Sequence, residues 1–405
     1  MTISEQPAGD VAARAYPFGV PERLVFDPTF AEVREHEPLA RVRLPYGEPM
    51  ALMITRYDDV RIVHGDPRFS RAAAATRDRP RLWAPRIPAG ISELDPPEHT
   101  RLRALVGKAF TVRRVEQLRP RVEQIATDLL DAMMQAGPPA DLMESLAVPL
   151  PATVICELLG VPYDDRDRFR TWTDAFMSVS ALPMEEKLAH RACIAGYLAD
   201  MVAQRRARPT DDLIGALVRA RDEQDRLTED EMITFAMTLL AAGFETTASQ
   251  LGNFTYLLLT HPDQMALLRG GQVGVDQAVE ELLRFVPLSD ASPLAWYATE
   301  DVELSSGVVR AGEWVFVSNA AANRDPRVVR DPERLDLTRP PVPHLAFGHG
   351  THHCTGAQLA RMELQVGLRA LLDRCPELRL PGGDAQPRWK VGMVIRGPEA
   401  LPIAW

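Results

Sequence analysis

The sequence predicts an α+β fold that is mainly helical and forms one continuous domain. Apolar residues recur at spacings of three and four between residues 98 and 268, a pattern typical of amphipathic helices. Short runs of β-forming residues, bounded by proline, glycine or charge, precede and follow this helical centre. The sequence of 405 residues contains no internal repeat and no segment that resembles an interdomain linker.

The elements follow in order along the chain. We expect residues 1–20 to be flexible, and the runs "PLARVRLPY" and "ALMITRY" predict a small sheet before residue 69. The segments "EQIATDLLDAMMQ", "LAHRACIAGYLADMVAQR" and "DDLIGALVRARDE" predict separate helices. Strand-like residues return in "DVELSSGVVRAGEWVFVSNAAA", before a proline-rich coil over residues 325–343. One more helix and a hairpin-like segment, "WKVGMVIRGPEALPIAW", end the chain.

Composition excludes several classes of protein. A formal net charge of -10 argues against a general nucleic-acid binder, because neutralising phosphates needs an excess of Lys and Arg. The four cysteines lie far apart without a CxxC pair, which indicates a reducing compartment and predicts a cytoplasmic protein. The most apolar stretch, residues 232–244, is too short to cross a bilayer, so we interpret it as a buried helix and expect no membrane association.

The stretch "HLAFGHGTHHCTGAQLAR" surrounds Cys354 with glycines and histidines, directly before a helical run. Amides at the start of a helix near Thr355 would stabilise a thiolate, the form that binds metals or attacks electrophiles. A small structural residue is the alternative. Zinc fits poorly because His353 and Cys354 are adjacent and no second cysteine cluster exists. The signatures of cysteine proteases and phosphate-binding loops are also absent.

Three other motifs carry polar groups that could be functional. Glu245 and Thr246 follow an apolar helical run, where burying them without a partner would cost free energy. The alternative there is a threonine bonded to a backbone carbonyl and a glutamate that reaches solvent. In "EELLRF" the acid and the arginine are three apart, and in "DPPEHTRLRALVGKAF" a histidine and an arginine are four apart, so each pair shares a helix face. Each could equally be an ordinary surface pair.

Together these motifs resemble the cytochrome P450 family. "FGHGTHHCTG" matches FxxGxxxCxG, the haem-ligand loop, and "AGFET", "EELLR" and the His-Arg helix occur in family order over residues 95–361. The chain is most similar to bacterial, actinomycete-like monooxygenases, and "HHCTGAQLARMEL" and "IRGPEALPIAW" are similar to the biflaviolin synthase branch. The resemblance implies a single cytochrome P450 domain over residues 1–405, with a helical bulk and small β-sheets.

The resemblance also implies roles for individual residues. Haem b would be the cofactor, with Cys354 as the protein ligand of its iron, and thiolate ligation favours O–O cleavage. Glu245 and Thr246 would deliver protons during O₂ activation, and Glu281 and Arg284 would fasten their helix to the coil near residues 331–336. Further residues expected to contact the haem are His99, Arg103, Ala242, Gly243, Phe347, Gly348, His352 and Gly356.

One position departs from the family pattern. "WYATED" places Trp296 where R-x-A-x-x-D would supply an arginine to a haem propionate. An indole offers one N–H donor and no charge. We therefore expect His99, Arg103 and His352 to bind the propionates, while Trp296 narrows the pocket beside the haem. The alternative is that Trp296 fills core volume and a water molecule bridges to the propionate.

The implied reaction needs O₂, a small-molecule substrate and an external source of electrons, since the sequence holds no flavin or iron–sulfur motif. We expect a ferredoxin and a ferredoxin reductase as partners, docking on a basic patch. The residues of that patch are Arg101, Lys108, Arg113, Arg114 and Arg361. An apolar or aromatic substrate is expected, held by segments 72–94, 169–196, 288–294 and 393–395. The single residues chosen for this pocket are Leu239, Leu288, Leu294, Trp296, Val394 and Ile395.

The expected activity is hydroxylation in secondary metabolism. Oxidative coupling of aromatic groups without oxygen insertion is the alternative within enzymes, and product mass separates the two. A haem-binding sensor or carrier is the alternative outside enzymes. The pair of Glu245 and Thr246 argues against a carrier, because a carrier has no use for buried proton-delivery groups.

Overall fold

Helices form the centre and the C-terminal part of the chain, as the apolar spacing predicts. The computed structural model describes residues 13–20, 22–83, 90–107, 109–162, 165, 168, 171–172, 182–222, 227–382 and 386–405. The helices are α1 (Thr29–His36), α2 (Tyr57–Gly65), α3 (Arg71–Ala75), α4 (Glu98–Gly107), α5 (Val112–Ala136), α6 (Pro149–Leu159), α7 (Met184–Ala207), α8 (Leu213–Asp222), α9 (Glu229–Thr260), α10 (Pro262–Arg269), α11 (Val275–Phe285), α12 (Asn319–Ala322) and α13 (Ala357–Arg374).

Short strands complete the fold. They are β1 (Arg14–Ala15), β2 (Leu39–Arg43), β3 (Met50–Ile54), β4 (Phe69–Ser70), β5 (Ala140–Asp141), β6 (Trp296–Ala298), β7 (Val302–Leu304), β8 (Gly307–Val309), β9 (Trp314–Val317), β10 (Arg388–Trp389), β11 (Pro398–Ala400) and β12 (Pro402–Ile403). Within the described residues, no helix combines the length and apolarity needed to cross a bilayer.

The largest sheet joins strands from distant parts of the sequence. Its order is β1-β2-β3-β9-β6-β4, with β2 and β3 antiparallel and β3 parallel to β9. Nearly every residue of β3 and every residue of β9 is buried, which is why both are continuous apolar runs at the middle of the sheet. The sequence predicted the N-terminal sheet but not its extension by the strands after residue 295.

The long helix α9 is the central helical element. Its start is fixed by a capping box, in which the amide of Glu231 donates to Thr228 Oγ1 and the amide of Thr228 donates to the Glu231 carboxylate. The helix packs against α6, α7 and α13. This confirms the prediction of a buried helix over residues 232–244 and places "AGFET" at the centre of the helical part.

Two expectations about the chain ends need correction. Residues 13–20, expected to be flexible, include β1, which pairs with β2, and the buried ring of Tyr16. Residues 1–12 lie outside the described residues. At the other end, β10 and β11 form the expected antiparallel pair, but β12 pairs with β5. A strand of two residues chooses its partner by tertiary packing, which local sequence does not encode.

Candidate active site

The loop before α13 presents Cys354. The backbone amide of Cys354 donates to the carbonyl of Phe347 over 2.8 Å, which closes the loop. Gly348 and Gly350 adopt φ values of +72° and +64°, a region that favours glycine. A Cβ atom on Gly350 would lie 2.9 Å from the Cα of Gly65, so the loop packs against the end of α2.

Gly356 behaves differently from the other glycines of this loop. Its φ of -84° lies outside the left-handed region that favours glycine. Among the described residues, no atom lies within 4 Å of the position that a Cβ atom would take there. The surface beside Gly356 is therefore open, as a flat cofactor lying against it would require.

Cys354 is exposed as a residue, although protein atoms surround its sulfur closely. Burial raises its pKa, while a hydrogen bond from the Gly356 amide and the charges of Arg103 and Arg361 act in the opposite direction. Because α13 begins at Ala357, the amide nearest the sulfur belongs to the residue that precedes the helix. A sulfur facing one amide donor and two cations suits a thiolate that binds a metal.

A connected group of three charged or polar side chains next to Phe347 holds the loop in place. The Arg361 guanidinium lies over the Phe347 ring, 4.6 Å from its centroid, and donates to Glu280 over 2.7 Å. The Nε2 atom of His344 lies 3.0 Å from the other Glu280 oxygen. Burial alone would raise the pKa of Glu280, but the bonds to His344 and Arg361 outweigh it and lower the pKa to about 2. Sequence analysis missed Glu280, whose only signal is its place beside Glu281.

The residues predicted to bind the propionates lie together. The rings of His99 and His352 have centroids 4.5 Å apart, and Trp296 lies 5.3 Å from His352. Arg103 donates to the backbone carbonyl of His353, which ties α4 to the cysteine loop. Within the described residues, the buried His99 Nδ1 and Trp296 Nε1 atoms have no hydrogen-bond partner. Buried polar nitrogens without partners indicate a ligand that supplies acceptors.

The same cluster, made of His64, Arg71, His99, Arg103, Trp296 and His352, contains the two cations Arg71 and Arg103. The Arg71 guanidinium lies over the Trp296 indole, 3.9 Å from its centroid. Burial, followed by the charges of Arg71 and the neighbouring histidines, lowers the pKa of His352 to about 3. Carboxylates would be stabilised here, so the cluster fits the two propionates of a haem. Trp296 is 2% exposed and lies with these residues, and sequence analysis missed Arg71.

Ala242 and Thr246 share one face of α9. Thr246 Oγ1 donates to the carbonyl of Ala242 over 2.7 Å, Ala242 is exposed and Thr246 is partly exposed. Glu245 is 2% exposed and forms an ion pair with Lys390. The two residues predicted to deliver protons therefore have different surroundings, because successive helix positions point about 100° apart.

Gly243 lies where two helices pack closely. A Cβ atom at this position would lie 3.0 Å from two side-chain carbons of Ile155, so the glycine allows α9 and α6 to pack closely. The expected contact of Gly243 with the haem stays a prediction.

The pair Glu281 and Arg284 takes the predicted position. Arg284 is fully buried and donates to both oxygens of Glu281, over 2.7 and 2.8 Å. It also donates to the carbonyls of Pro332 and Arg334, while the amide of Asp336 donates to Glu281. The contact with the coil at residues 331–336 is thereby confirmed. It anchors the long segment that leads to Cys354.

The predicted pocket residues are brought together in part. The amide of Arg396 donates to the carbonyl of Leu288 over 2.7 Å, which places Leu288 beside the turn that carries Val394 and Ile395. Leu239, Leu288, Leu294 and Val394 are partly exposed, whereas Ile395 is buried. Residues 84–89, 169–170 and 173–181 of the predicted wall segments lie outside the described residues.

The expected basic patch is weaker than its sequence suggests. Arg101 pairs with Glu231 over 2.6 Å, and Arg361 is engaged with Glu280. Lys108 lies outside the described residues. Opposite charges from distant segments neutralise two of these cations, so Arg113 and Arg114 remain as the candidates for contact with an acidic partner.

Comparison with known proteins decides the family. Among the described residues, no group of three or more His, Cys, Asp or Glu side chains is arranged to hold a metal ion. The family model "Cytochrome P450" matches residues 33–270 and 275–400. The chain belongs to the cytochrome P450 family.

Relatives of this cytochrome P450 match over nearly their full length. Nocardicin C N-oxygenase from Nocardia uniformis subsp. tsuyamanensis is 50% identical, covering 97% of this chain and 98% of that protein. The crystal structure of the LnmA cytochrome P450 hydroxylase, from the leinamycin biosynthetic pathway of Streptomyces atroolivaceus, is 55% identical with a TM-score of 0.89. It covers 97% of this chain and 100% of the solved chain.

Biflaviolin synthase CYP158A1 from Streptomyces coelicolor is 41% identical, covering 94% of this chain and 93% of that protein. Both the predicted family and the suspected branch are therefore confirmed as relatives. Family membership makes haem the cofactor and makes the protein a cytochrome P450 monooxygenase.

Proposed function

We propose that this cytochrome P450 inserts oxygen into an apolar or aromatic small molecule of secondary metabolism, most simply by hydroxylation. The observation that carries the proposal is one loop that presents the exposed Cys354 beside the cluster containing Arg71, Arg103 and His352. A thiolate-ligated haem supplies O₂ activation when it is bound at such a site.

The residues of this chain would perform the remaining tasks. Cys354 would hold the iron, while His99, Arg103 and His352 would hold the propionates in the cluster described above. Thr246 and Glu245 would hold and pass protons, since a hydroxyl and a carboxylate occupy consecutive positions of α9. Ala242, on the same face as Thr246, would leave room for O₂ and substrate.

A ferredoxin and its reductase would supply the electrons from NAD(P)H, because the sequence contains no flavin or iron–sulfur motif of its own. Arg113 and Arg114, beside the start of α5, would attract an acidic ferredoxin. We expect the rate of reduction to fall as ionic strength rises, since salt screens such attraction.

The names of the relatives support a substrate from secondary metabolism. One is named for N-oxygenation of nocardicin C, and another is a hydroxylase of leinamycin biosynthesis. The partly exposed side chains of Leu239, Leu288 and Val394 would supply apolar contacts to such a molecule.

The test has two steps. A library of aromatic, polyketide and cyclic peptide compounds is screened for shifts of the haem spectrum from low to high spin. The compound that gives the largest shift is then incubated with the protein under ¹⁸O₂ with NADPH, ferredoxin and reductase. The molecular mass of the product is measured by mass spectrometry. One added ¹⁸O supports the proposal. A dimer without added oxygen indicates oxidative coupling, and the absence of any product with every binding compound indicates a sensor or carrier.

A further inference from the structure

Two consecutive acids of α11 bind different parts of the structure. Glu281 accepts hydrogen bonds from Arg284 and from the amide of Asp336, which fastens α11 to the coil. Glu280 instead binds α13, where Arg361 Nε donates to one of its oxygens over 2.7 Å and Arg361 Nη2 donates to the other over 3.2 Å. Anchoring the coil accounts for Glu281, whereas the partners of Glu280 lie beside the cysteine loop.

Glu280 both orients Arg361 and compensates its charge. Two guanidinium nitrogens meet two carboxylate oxygens, an arrangement that fixes the direction of an arginine. The side chains of Arg361 and Glu280 are 23% and 36% exposed, so water screens their charges only in part. The buried His344 contacts the same carboxylate over 3.0 Å and restricts its movement.

Arg361 connects this acid to Cys354. Its guanidinium lies over the ring of Phe347, and the carbonyl of Phe347 accepts the hydrogen bond from the Cys354 amide. The positive charge of Arg361 also lowers the pKa of the Cys354 thiol against the effect of burial, so this charge acts on the sulfur. Charges and hydrogen bonds around a ligand atom tune the metal that the ligand holds. The net charge of the pair formed by Glu280 and Arg361 therefore acts on a haem held by Cys354.

We propose that Glu280 is a positioning residue that holds Arg361 over Phe347, offsets its charge and thereby keeps the reduction potential of the haem low. In the reduction step one electron leaves the ferredoxin, which is oxidised, and ferric haem becomes ferrous. Glu280 and Arg361 exchange no proton in this step and act only through their charges, since a nearby cation favours the added electron and a nearby anion opposes it. The inference rests on the proposed function, in which Cys354 holds the haem iron.

The test is a titration of the haem reduction potential with dithionite and small redox mediators, so that ferredoxin docking does not enter the measurement. Glu280→Gln leaves the charge of Arg361 uncompensated, and its reduction equilibrium constant should rise on the order of tenfold, about 59 mV toward positive potential. Arg361→Met leaves the carboxylate uncompensated, and its potential should fall. The double variant should lie between the two. A general loosening of the loop would not give opposite signs.

An exposed ion pair between the same two helices provides the matched control. Asp276 of α11 pairs with Arg369 of α13 over 3.2 Å, with side chains 69% and 56% exposed. Arg369 lies eight residues after Arg361, about 12 Å further along the helix. Asp276→Asn should change the reduction equilibrium by less than about twofold, because solvent and salt screen exposed charges. Glu280→Asp keeps the negative charge and should stay nearer to the parent than Glu280→Gln does.

The spectrum under carbon monoxide and the urea midpoint show whether each variant keeps thiolate ligation and folds. An unchanged or lower potential in Glu280→Gln would overturn the inference, as would shifts of the same sign in the two single variants or an equal shift in Asp276→Asn. If Glu280→Gln does not retain haem, Arg361→Met decides: a lower potential supports the inference and any other result contradicts it. A parent protein without thiolate-ligated haem would instead contradict the proposed function, which is a separate outcome.

Discussion

The indole of Trp296 lies edge-on against the imidazole of His352, with their ring centroids 5.3 Å apart and their planes at 73°. The Arg71 guanidinium covers the face of the same indole. Where the family pattern has an arginine, this chain therefore has an N–H donor from Trp296 and a cation from another segment. We expect both to serve the haem propionates.

The first prediction tests the N–H donor. In Trp296→Phe the ring volume is largely kept and the donor is lost, so a bond to a charged carboxylate disappears at a cost of about 1.5 to 3 kcal/mol. We expect the dissociation of haem to apomyoglobin to accelerate by roughly tenfold or more. Trp389→Phe is the matched control, because the buried Trp389 Nε1 also lacks a partner among the described residues but lies beside Tyr256. Equal rates of haem loss in the two variants would show that Trp296 only fills volume.

The second prediction concerns Arg284. Its guanidinium is fully buried, so Arg284→Ala leaves the Glu281 carboxylate without its closest cation. Breaking such a pair costs about 3 to 5 kcal/mol, and the free energy of unfolding in urea should fall by that amount. Loss of the coil contact should also lower the haem content of the purified protein.

An exposed ion pair provides the control for Arg284. Arg121 and Glu157 meet over 2.6 Å with side chains 53% and 42% exposed. Arg121→Ala should cost less than about 1 kcal/mol and leave haem content unchanged. A cost for Arg284→Ala as small as that of Arg121→Ala would contradict the anchoring role.

The third prediction is a pH dependence in the protein without haem. Burial lowers the pKa of His352 to about 3, whereas an unfolded histidine has a pKa near about 6.5. The unfolded chain therefore binds the proton first as pH falls. The stability that neutral His352 contributes is complete above about pH 6.5 and is lost progressively toward pH 3.

Urea unfolding followed by circular dichroism checks this pH dependence. Between pH 7 and pH 5, the parent should lose more unfolding free energy than His352→Gln, by less than about 1.4 kcal/mol per pH unit. Parallel curves for the two proteins would mean that His352 titrates normally. Bound haem should shrink the difference, because propionates favour the protonated ring.

Much of the site could be predicted because its motifs are local. The ion pair of Glu281 and Arg284 spans one helical turn, and His99 and Arg103 share a face of α4, so spacing alone indicates each pair. Cys354 is found through the glycines that its own loop requires. Local patterns of this kind can be recognised in the sequence, because the residues that form them belong to one helix or one loop.

Partners from distant segments could not be predicted. Arg71, Glu280 and Lys390 reach the site from α3, α11 and the C-terminal hairpin, and no sequence spacing records those meetings. The close packing of Gly243 against Ile155 of α6 was not predicted for the same reason. Tertiary packing decides such contacts, and single-sequence patterns describe only the element itself.

The most direct test of the whole account is the spectrum of the reduced protein under carbon monoxide. If Cys354 is the thiolate ligand, the parent will show the red-shifted Soret band of thiolate-ligated haem, and Cys354→Ala will lose it. His353→Ala, altered at the neighbouring residue of the same loop, should keep the band. A parent spectrum typical of histidine-ligated haem, or a thiolate band that persists in Cys354→Ala, would contradict the assignment of the site.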